Sequence, residues 1–387
     1  MYLMKRDFEL ELAQRRAGSH YRERFAIDGS HGTEVVIDGR KLSAFCTNDY
    51  LGLANHPHVV AAFHSAADRC GVGSGAAQLI SGYNVEHRHL EEELAAFTGR
   101  ERVLLFSSGY LANLGVISAL AGRHDIVLED RLNHASLIDG ARLSQAKLLR
   151  YHHNDAAALS QRLSHISGKF VLVATDGVFS MDGDLADLPA LAAAARTADA
   201  LLMVDDAHGL GVLGTHGRGS LDHMQLTQAD APLLIGTFGK ALGTFGAFVA
   251  GPEQLIETLI QSARSFIYTT ALPPAIACAT RASLRLLQDE DWRREKLTCL
   301  ISQFRRGASE LGYTLSTSVT PIQPVIIGDA SRAMRLSASL REAGFYIPAI
   351  RPPTVPEGTA RLRITFSANH CDTDIERLLT ALDEHTP

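Results

Sequence analysis

From about residue 50 onward, segments with helical patterning alternate with short apolar runs that are bounded by glycine, aspartate or serine. Short runs of this kind are typical of strands that are buried on both faces of a sheet. The predicted strands are 103–106, 126–129, 170–174, 201–204, 233–235 and 245–250. The predicted covering helices include 86–97 and 187–197. This alternation favours an α/β fold with a mostly parallel sheet.

The two ends of the chain have a different pattern. Residues 5–24 are rich in Arg and Glu and predict a charged helix, and turns at Asp28-Gly29 and Asp38-Gly39 predict a hairpin after it. The C-terminal third predicts helices and strands at 292–311, 322–327, 331–343 and 361–366. We therefore expect an N-terminal segment (1–50) that packs near a small domain, a large domain (51–274) and a smaller α+β domain (275–387).

Composition narrows the class of protein. The chain has 387 residues, 46% hydrophobic content and a net charge of -6, which argue for a folded, soluble protein without a nucleic-acid or membrane surface. Its five cysteines form no C-x-x-C pair, so free thiols in a reducing compartment are expected. The charged N-terminus does not resemble a signal peptide, and no apolar run is long enough to span a membrane. The expected location is the cytoplasm.

Two glycine clusters resemble nucleotide-binding motifs without meeting their requirements. Residues 209–214 match G-x-G-x-x-G, but four residues separate them from the preceding strand, and no helix is predicted to open after them. A dinucleotide fingerprint needs its glycines at the strand-to-helix turn. Residues 236–241 lack both the four-residue spacing between glycines and the Ser or Thr that a P-loop requires. Both nucleotide-binding interpretations are therefore rejected.

Polar residues at three strand ends suggest a different cofactor. The segment 106–113 ends a strand and opens a helix, where free N–H groups suit a phosphate, although a simply capped helix explains it equally well. Asp205 and His208 follow an apolar strand, and a carboxylate there is costly without a charged partner. The protonated nitrogen of pyridoxal phosphate is such a partner, and His208 suits the phenolic oxygen. The alternative is a capping Asp with a satisfied core His.

Lys240 lies in an apolar, glycine-flanked segment at the third strand end. A lysine in a poorly solvated pocket near other positive charge loses its proton easily and attacks aldehydes. Thr237, three residues earlier, can donate to a phosphate. His134 suits stacking on a flat aromatic ring, although it is equally compatible with an incidental position beside a capping Asn133. Together these residues predict a pyridoxal-phosphate enzyme in which Lys240 holds the cofactor as an imine.

The order of these motifs resembles that of the α-oxoamine synthases, which are fold-type I pyridoxal-phosphate enzymes. The shared motifs are Ser-Gly-Tyr, Asn-His-Ala-Ser, Asp-Gly-Val-Phe-Ser-Met-Asp-Gly, Asp-Asp-Ala-His-Gly and Thr-Phe-Gly-Lys. The resemblance runs from about Leu12 to the C-terminus. It implies a large domain with a mostly parallel mixed sheet and a smaller α+β domain. The segments 349–356 and 358–363 look like the biotin-pathway branch rather than the glycine-acetyltransferase, aminolevulinate or sphingolipid branches.

The resemblance also implies roles for individual residues. The implied catalytic residues are Lys240, His134, Asp205 and His208. The implied cofactor-binding residues are these four together with Gly109, Tyr110, Ser180, Thr237, Thr269 and Thr270. The implied substrate-binding residues are Arg22, His134, Thr354 and Arg363. Because Thr269 and Thr270 match positions that reach the phosphate of a neighbouring subunit, a homodimer with shared active sites is expected.

The implied reaction is a decarboxylative condensation of L-alanine with a pimeloyl thioester, carried on CoA or on an acyl carrier protein. Two alternatives remain: another branch of the family, such as glycine with a short acyl-CoA, and a non-catalytic partner subunit. The second is disfavoured because Lys240 is present with its neighbours. The chain departs from the family at Ala76-Ala77-Gln78, where Gly with Ser or Thr is frequent, and at Asp176, where Glu is common. No metal-ligand spacing is found among the histidines.

Overall fold

The computed structural model describes residues 7–18 and 21–385. The described strands are β1 Glu34–Ile37, β2 Arg40–Ala44, β3 Arg102–Phe106, β4 Ile126–Asp130, β5 Lys147–Tyr151, β6 Val171–Asp176, β7 Leu201–Asp205, β8 Leu233–Thr237, β9 Ala247–Gly251, β10 Ile322–Gly328, β11 Phe345–Tyr346, β12 Ala349–Ile350 and β13 Ala360–Thr365.

The described α-helices are α1 Phe8–Ala17, α2 Pro57–Cys70, α3 Val85–Thr98, α4 Gly109–Leu120, α5 Ala135–Ser144, α6 Ala156–Leu163, α7 Leu188–Thr197, α8 Ser220–His223, α9 Glu253–Ser262, α10 Arg264–Ile267, α11 Pro274–Asp289, α12 Trp292–Glu310, α13 Ala330–Glu342 and α14 Asp372–Glu384. The chain forms two compact units, Asn48–Thr298 and the described residues up to Thr47 together with those from Cys299 onward. Among the described residues, no helix is long and apolar enough to cross a membrane.

The unit Asn48–Thr298 is built on a mixed sheet with the strand order β3-β9-β8-β7-β6-β4-β5. Strand β9 runs antiparallel to both of its neighbours, and the other described pairs are parallel. The predicted α/β class is therefore confirmed. All six strands that the apolar runs predicted are present, with boundaries shifted by two residues or fewer. Strand β5 was missed because its apolar run is only two residues long, between Arg150 and the exposed Lys147.

The central strands are apolar because helices cover them. Every residue of β4, β6 and β9 is buried, as expected for strands that are covered on both faces. On one face, side chains from the strands pack with apolar side chains of α4, α5, α9 and α10. Since parallel strands emerge at the same edge, the residues that follow β4, β6, β7 and β8 are brought together there.

The other unit joins the N-terminal hairpin to the C-terminal residues. Strands β1 and β2 turn at Asp38 and Gly39, whose φ values of 53° and 74° suit a tight hairpin. Strand β11 adds to β2 in parallel, and β10, β13 and β12 form a second sheet. The charged helix predicted over 5–24 is shorter in the structure. It ends at Gly18, whose N–H caps the last turn, and 21–24 have no regular structure, whereas residues 5, 6, 19 and 20 lie outside the described ranges.

The turn after Lys240 is held tightly against the segment before α2. Gly243 donates its N–H to Lys240 O at 2.8 Å, and a Cβ at Gly243 would lie 2.4 Å from Ala54 N. Its φ is 62°, in the left-handed region. Glycine is required there by both the backbone conformation and the close approach.

We expect Gly243→Ala to destabilise the protein more than Gly99→Ala, because Gly99 has nearly the same φ of 64° but no atom within 4 Å of an added Cβ. The left-handed conformation alone costs about 1–2 kcal/mol for an L-residue. The overlap with Ala54 adds roughly 1–3 kcal/mol. Chemical denaturation of both variants measures the difference in the free energy of unfolding. Equal decreases would show that the close approach to Ala54 adds no cost.

Candidate active site

Residues at neighbouring strand ends surround one cavity in the unit Asn48–Thr298. Its volume is about 200 Å³. The lining residues are Gly109, Tyr110, Asn113, His134, Ser136, Asp176, Ser180, Asp205, Ala207, His208, Thr237 and Lys240. Eight of the residues predicted from the sequence to bind the cofactor are among them. Their convergence follows from the parallel strands, which deliver residues distant in sequence to one edge of the sheet.

A chain of hydrogen bonds orients Lys240. Its Nζ lies 2.9 Å from Nε2 of His208, and Nδ1 of His208 lies 2.7 Å from Oη of the fully buried Tyr50. Tyr50 in turn donates to Oδ1 of Asn48 at 3.2 Å. If His208 carries its proton on Nδ1, then Lys240 donates to His208, His208 donates to Tyr50 and Tyr50 donates to Asn48. His208 is therefore placed to orient the amine.

Asp205 is a nearly buried carboxylate at the end of β7, with 4% of its surface exposed. Its Oδ2 accepts a hydrogen bond from Nδ2 of Asn113 at 2.6 Å, and its Oδ1 accepts one from the N–H of Ala207 at 3.0 Å. The same Asn113 amide donates to Ser136 Oγ at 2.8 Å. A carboxylate removed from water in this way needs such donors and favours a cationic partner.

His134 caps the N-terminus of α5 and borders the cavity. Its backbone N–H donates to Oδ2 of Asp176 at 2.7 Å, and Nδ1 of its ring lies 2.7 Å from Ser136 Oγ. Burial lowers the pKa of His134; the charge of Asp205 raises this pKa and that of Lys240 lowers it further. The net decrease leaves the imidazole neutral at pH 7. Burial raises the pKa of Asp176 well above its ordinary value, and the negative charge of Asp205 acts in the same direction.

The N-terminus of α4 provides a site for an anion. Ser108 caps this helix by accepting a hydrogen bond from the N–H of Leu111 at 3.2 Å. Gly109 begins the helix, and its Cα faces Thr237, since a Cβ there would lie 3.9 Å from the Thr237 Cβ. The N–H groups of a first helical turn and the helix dipole both favour a phosphate. Thr237 adds a hydroxyl at the end of β8.

The structure does not bring every predicted residue to this cavity. Thr270 pairs with Ala77 in an isolated bridge, and Thr269 precedes it outside the cavity lining. Arg22, Thr354 and Arg363 belong to the other unit. Within that unit, Arg22 borders a cavity of about 720 Å³ whose other basic lining residues are Arg16, Arg341 and Arg351. Thr354 is exposed, and Arg363 is 7% exposed on β13.

Sequence reasoning did not assign roles to several residues that build the site. Asn113 lies in the segment 106–113 that the sequence singled out, but nothing local indicated that it contacts Asp205 or that Tyr50 contacts His208. Ser136 follows His134 by two residues and holds its ring. The contacts of Asn113 and Tyr50 join residues 92 and 158 positions apart, so hydrophobic patterning alone carries no signal for them.

The donor set fits pyridoxal phosphate. Lys240 supplies the amine that an aldehyde requires, and Asp205 supplies a carboxylate for a protonated ring nitrogen. The first turn of α4 and Thr237 supply N–H and hydroxyl donors for the phosphate. The neutral imidazole of His134 offers a flat face for the ring. All of these groups border the same cavity.

Comparisons with known proteins agree with this geometry. The family model described as aminotransferase class I and II matches residues 40–382. A curated relative, 8-amino-7-oxononanoate synthase from Pseudomonas putida (strain GB-1), is 59% identical over 98% of this chain and 97% of its own length. A structure of 8-amino-7-oxononanoate synthase from Francisella tularensis is 34% identical, with a TM-score of 0.78 over 89% of this chain and 97% of that chain. A structure of serine palmitoyltransferase from S. paucimobilis with a bound PLP–myriocin aldimine is 31% identical, with a TM-score of 0.93 over 98% of each chain.

We expect the pKa of His134 to respond in opposite directions to two neutralising substitutions. Asp205→Asn removes the charge that raises this pKa and therefore lowers it further, whereas Lys240→Gln removes the charge that lowers it and therefore raises it. Titration of the histidine NMR signals in the cofactor-free protein measures both shifts. The exposed His152, which does not line the cavity, is the internal control, since neither substitution should change its signal. Shifts of the same sign in both variants would contradict the electrostatic account.

Proposed function

The chain belongs to the 8-amino-7-oxononanoate synthases, within the aminotransferase class I and II family, and from this premise we propose how its own residues carry the reaction. It is a pyridoxal-phosphate-dependent acyltransferase (EC 2.3.1.47) of the α-oxoamine synthases and acts in biotin biosynthesis. It condenses L-alanine with a pimeloyl thioester to give 8-amino-7-oxononanoate, carbon dioxide and free thiol. The predicted fold type, cofactor and reaction are thereby confirmed.

The observation that carries the proposed site is the convergence of Lys240, Asp205 and His208 on one cavity. When bound, pyridoxal phosphate supplies an aldehyde for the amino group and a ring that accepts electrons from the amino-acid α-carbon. Lys240 would hold that aldehyde through its Nζ when no amino acid is bound. With the amino acid present, the Nζ of Lys240 would take up the α-proton and later return a proton, while His208 orients the amine.

Asp205 holds a proton at the ring nitrogen. Its two acceptor atoms are fixed by Asn113 and Ala207, so the carboxylate cannot turn away from the cavity without losing both bonds. A negative charge beside the nitrogen favours the protonated ring, which withdraws electrons more strongly. His208, whose Nε2 lies 2.9 Å from the Lys240 amine, would bond the phenolic oxygen of the bound cofactor.

The remaining groups orient the cofactor and the acyl substrate. Gly109 and Tyr110, at the start of α4, and Thr237, at the end of β8, bind the phosphate with Ser180 from the loop after β6. His134 would stack on the ring, and the ring N–H of its neutral imidazole would donate a hydrogen bond to the oxygen of the acyl carbonyl. In the other unit, we assign Arg22 and Thr354 to substrate binding, and Arg363 to the carboxylate of the amino acid.

We also propose a cytoplasmic homodimer in which Thr269 and Thr270 reach the partner's phosphate. The segment around Ala77 is bridged to Thr270, and Ala271 donates its N–H to Ala76 O at 3.0 Å. Large apolar side chains are exposed on these segments, namely Val72 85%, Leu79 51%, Ile80 81% and Tyr268 71%. Exposed apolar side chains on segments joined to Thr270 support an association surface there. We propose that the large cofactor-binding domain, predicted as 51–274, corresponds to the unit Asn48–Thr298, and that the small domain, predicted as 275–387 with the N-terminal segment 1–50, corresponds to the other unit.

The reaction is tested by identifying the product. Incubation of the purified protein with L-alanine and pimeloyl-CoA, followed by mass spectrometry, should yield 8-amino-7-oxononanoate at a rate that exceeds that of glycine with acetyl-CoA. Lys240→Arg keeps the positive charge but removes the nucleophilic amine, and it should lower kcat by about three orders of magnitude or more. Lys147→Arg, at the exposed start of β5, is the matched control. Faster turnover of glycine with acetyl-CoA would contradict the assignment.

Shared active sites predict complementation between two inactive variants. A Lys240→Ala subunit lacks the reacting amine, and a subunit in which Thr269 and Thr270 are both replaced by Ala lacks the groups offered to its partner. Mixed dimers should contain one intact site, so co-refolded or co-expressed variants should recover about a quarter of the wild-type activity when chains pair at random. No recovery from verified mixed dimers would refute the sharing.

A further inference from the structure

A histidine outside the cavity lies between two carboxylates. Nδ1 of His153 is 3.0 Å from Oδ1 of Asp130, and its Nε2 is 2.9 Å from Oδ2 of Asp184. Asp130 is the last residue of β4 and is 1% exposed, whereas Asp184 lies in the connection between β6 and α7. The imidazole therefore links a strand end to a loop that is distant in sequence.

That loop carries Ser180 into the cavity. It is a closed turn, because Phe179 donates its N–H to Asp184 O at 3.0 Å and Gly183 donates its N–H to Phe179 O at 2.8 Å. The edge of the His153 ring meets the Phe179 ring, with centroids 4.4 Å apart and planes at 87°. His153 thus contacts the turn on both sides of Ser180, through the ring of Phe179 and the carboxylate of Asp184.

The next residue, Asn154, continues the same link. Its side-chain amide donates to Leu185 O at 2.8 Å, its Oδ1 accepts from the N–H of Asp187 at 2.8 Å, and its own N–H donates to Oδ2 of Asp130 at 2.7 Å. The other carboxylate oxygen of Asp130 accepts from the N–H of Leu132 at 2.8 Å, in the segment that leads to His134. Asp130 therefore connects the loop to the segment of His134.

Charge strengthens this connection. Burial lowers the pKa of His153, but the hydrogen bonds and charges of Asp130 and Asp184 outweigh it and raise this pKa to about 10. The ring is therefore an imidazolium at neutral pH, and both of its bonds are charge-assisted. Hydrogen bonds of this kind are roughly twice as strong as neutral ones, which suits a fixed link rather than a mobile one.

We propose that His153 is a positioning residue that holds the Ser180 loop against the strand end leading to His134, and so fixes two cofactor-facing groups relative to each other. This inference rests on the proposed function, in which Ser180 binds the cofactor phosphate. His153 does not line the cavity itself. It acts through Asp184 and Phe179 on the loop, and through Asp130 on the strand end.

The test compares His153→Ala with His152→Ala. His152 is the preceding residue and its side chain is exposed, so His152→Ala is the matched control. Pyridoxal-phosphate affinity should fall about 10- to 100-fold in His153→Ala, as is typical when a group that orients a ligand's contacts is removed. The visible circular dichroism of the bound cofactor should also change. In the cofactor-free protein, hydrogen exchange should accelerate across residues 177–187. His152→Ala should match the wild type in all three measurements.

The inference is overturned when folded His153→Ala binds pyridoxal phosphate with wild-type affinity and circular dichroism, even if its thermal stability is lower. When His153→Ala does not fold, Asp184→Asn weakens the same link more mildly, and the same readouts apply to it. Ser180→Ala separates the inference from its premise. If Ser180→Ala keeps wild-type affinity, the assigned role of Ser180 fails; if it weakens binding and His153→Ala does not, the positioning role of His153 fails.

Discussion

The buried carboxylate of Asp205 is the constraint on which the site depends. Removing a carboxylate from water costs several kcal/mol unless hydrogen bonds and opposite charge compensate. Here Asn113 from the first turns of α4 and the N–H of Ala207 supply the bonds. Lys240 supplies positive charge on the same cavity. The parallel sheet brings these groups together at neighbouring strand ends.

The negative charge of Asp205 affects the pKa values of two neighbouring carboxyl groups. Burial raises the pKa of Asp206 to about 7, and the charge of Asp205 acts in the same direction. Burial and the charge of Asp205 also raise the pKa of Asp176, which accepts a hydrogen bond from the backbone N–H of His134. When these groups bind protons, the repulsion that they exert on Asp205 decreases. The negative charge of Asp205 thus contributes to the raised pKa of both neighbouring carboxyl groups.

Much of this arrangement could be predicted from the sequence because its signals are local. Apolar runs predicted six strands of the large sheet. The change from apolar to small, polar or charged residues after these runs indicated a site, and Gly109, His134, Asp205 and Lys240 border the cavity there. Strand β5 was not predicted, since its sequence, Lys-Leu-Leu-Arg-Tyr, has only two consecutive apolar residues between charged ones. The carboxyl-end location of the site follows from parallel topology once the strands are recognised.

Contacts between distant residues could not be predicted in this way. Tyr50 and His208 are 158 positions apart, and neither has a local pattern that indicates the other. In the sequence, His152 and His153 are adjacent and nothing distinguishes them. Only the folded chain shows that His153 lies between two carboxylates, whereas His152 is exposed. The roles of Arg22, Thr354, Arg363, Thr269 and Thr270 come from resemblance to relatives, and they stay predictions.

The central claim is that Asp205 keeps the cofactor ring protonated. The most direct measurement is the ¹⁵N chemical shift of the pyridine nitrogen in the enzyme loaded with ¹⁵N-labelled pyridoxal phosphate. In the wild type the shift should be that of a protonated nitrogen at pH 7–8, and in Asp205→Ala it should move to that of an unprotonated one. An unprotonated nitrogen in the wild type, or an unchanged shift in the variant, would contradict the account.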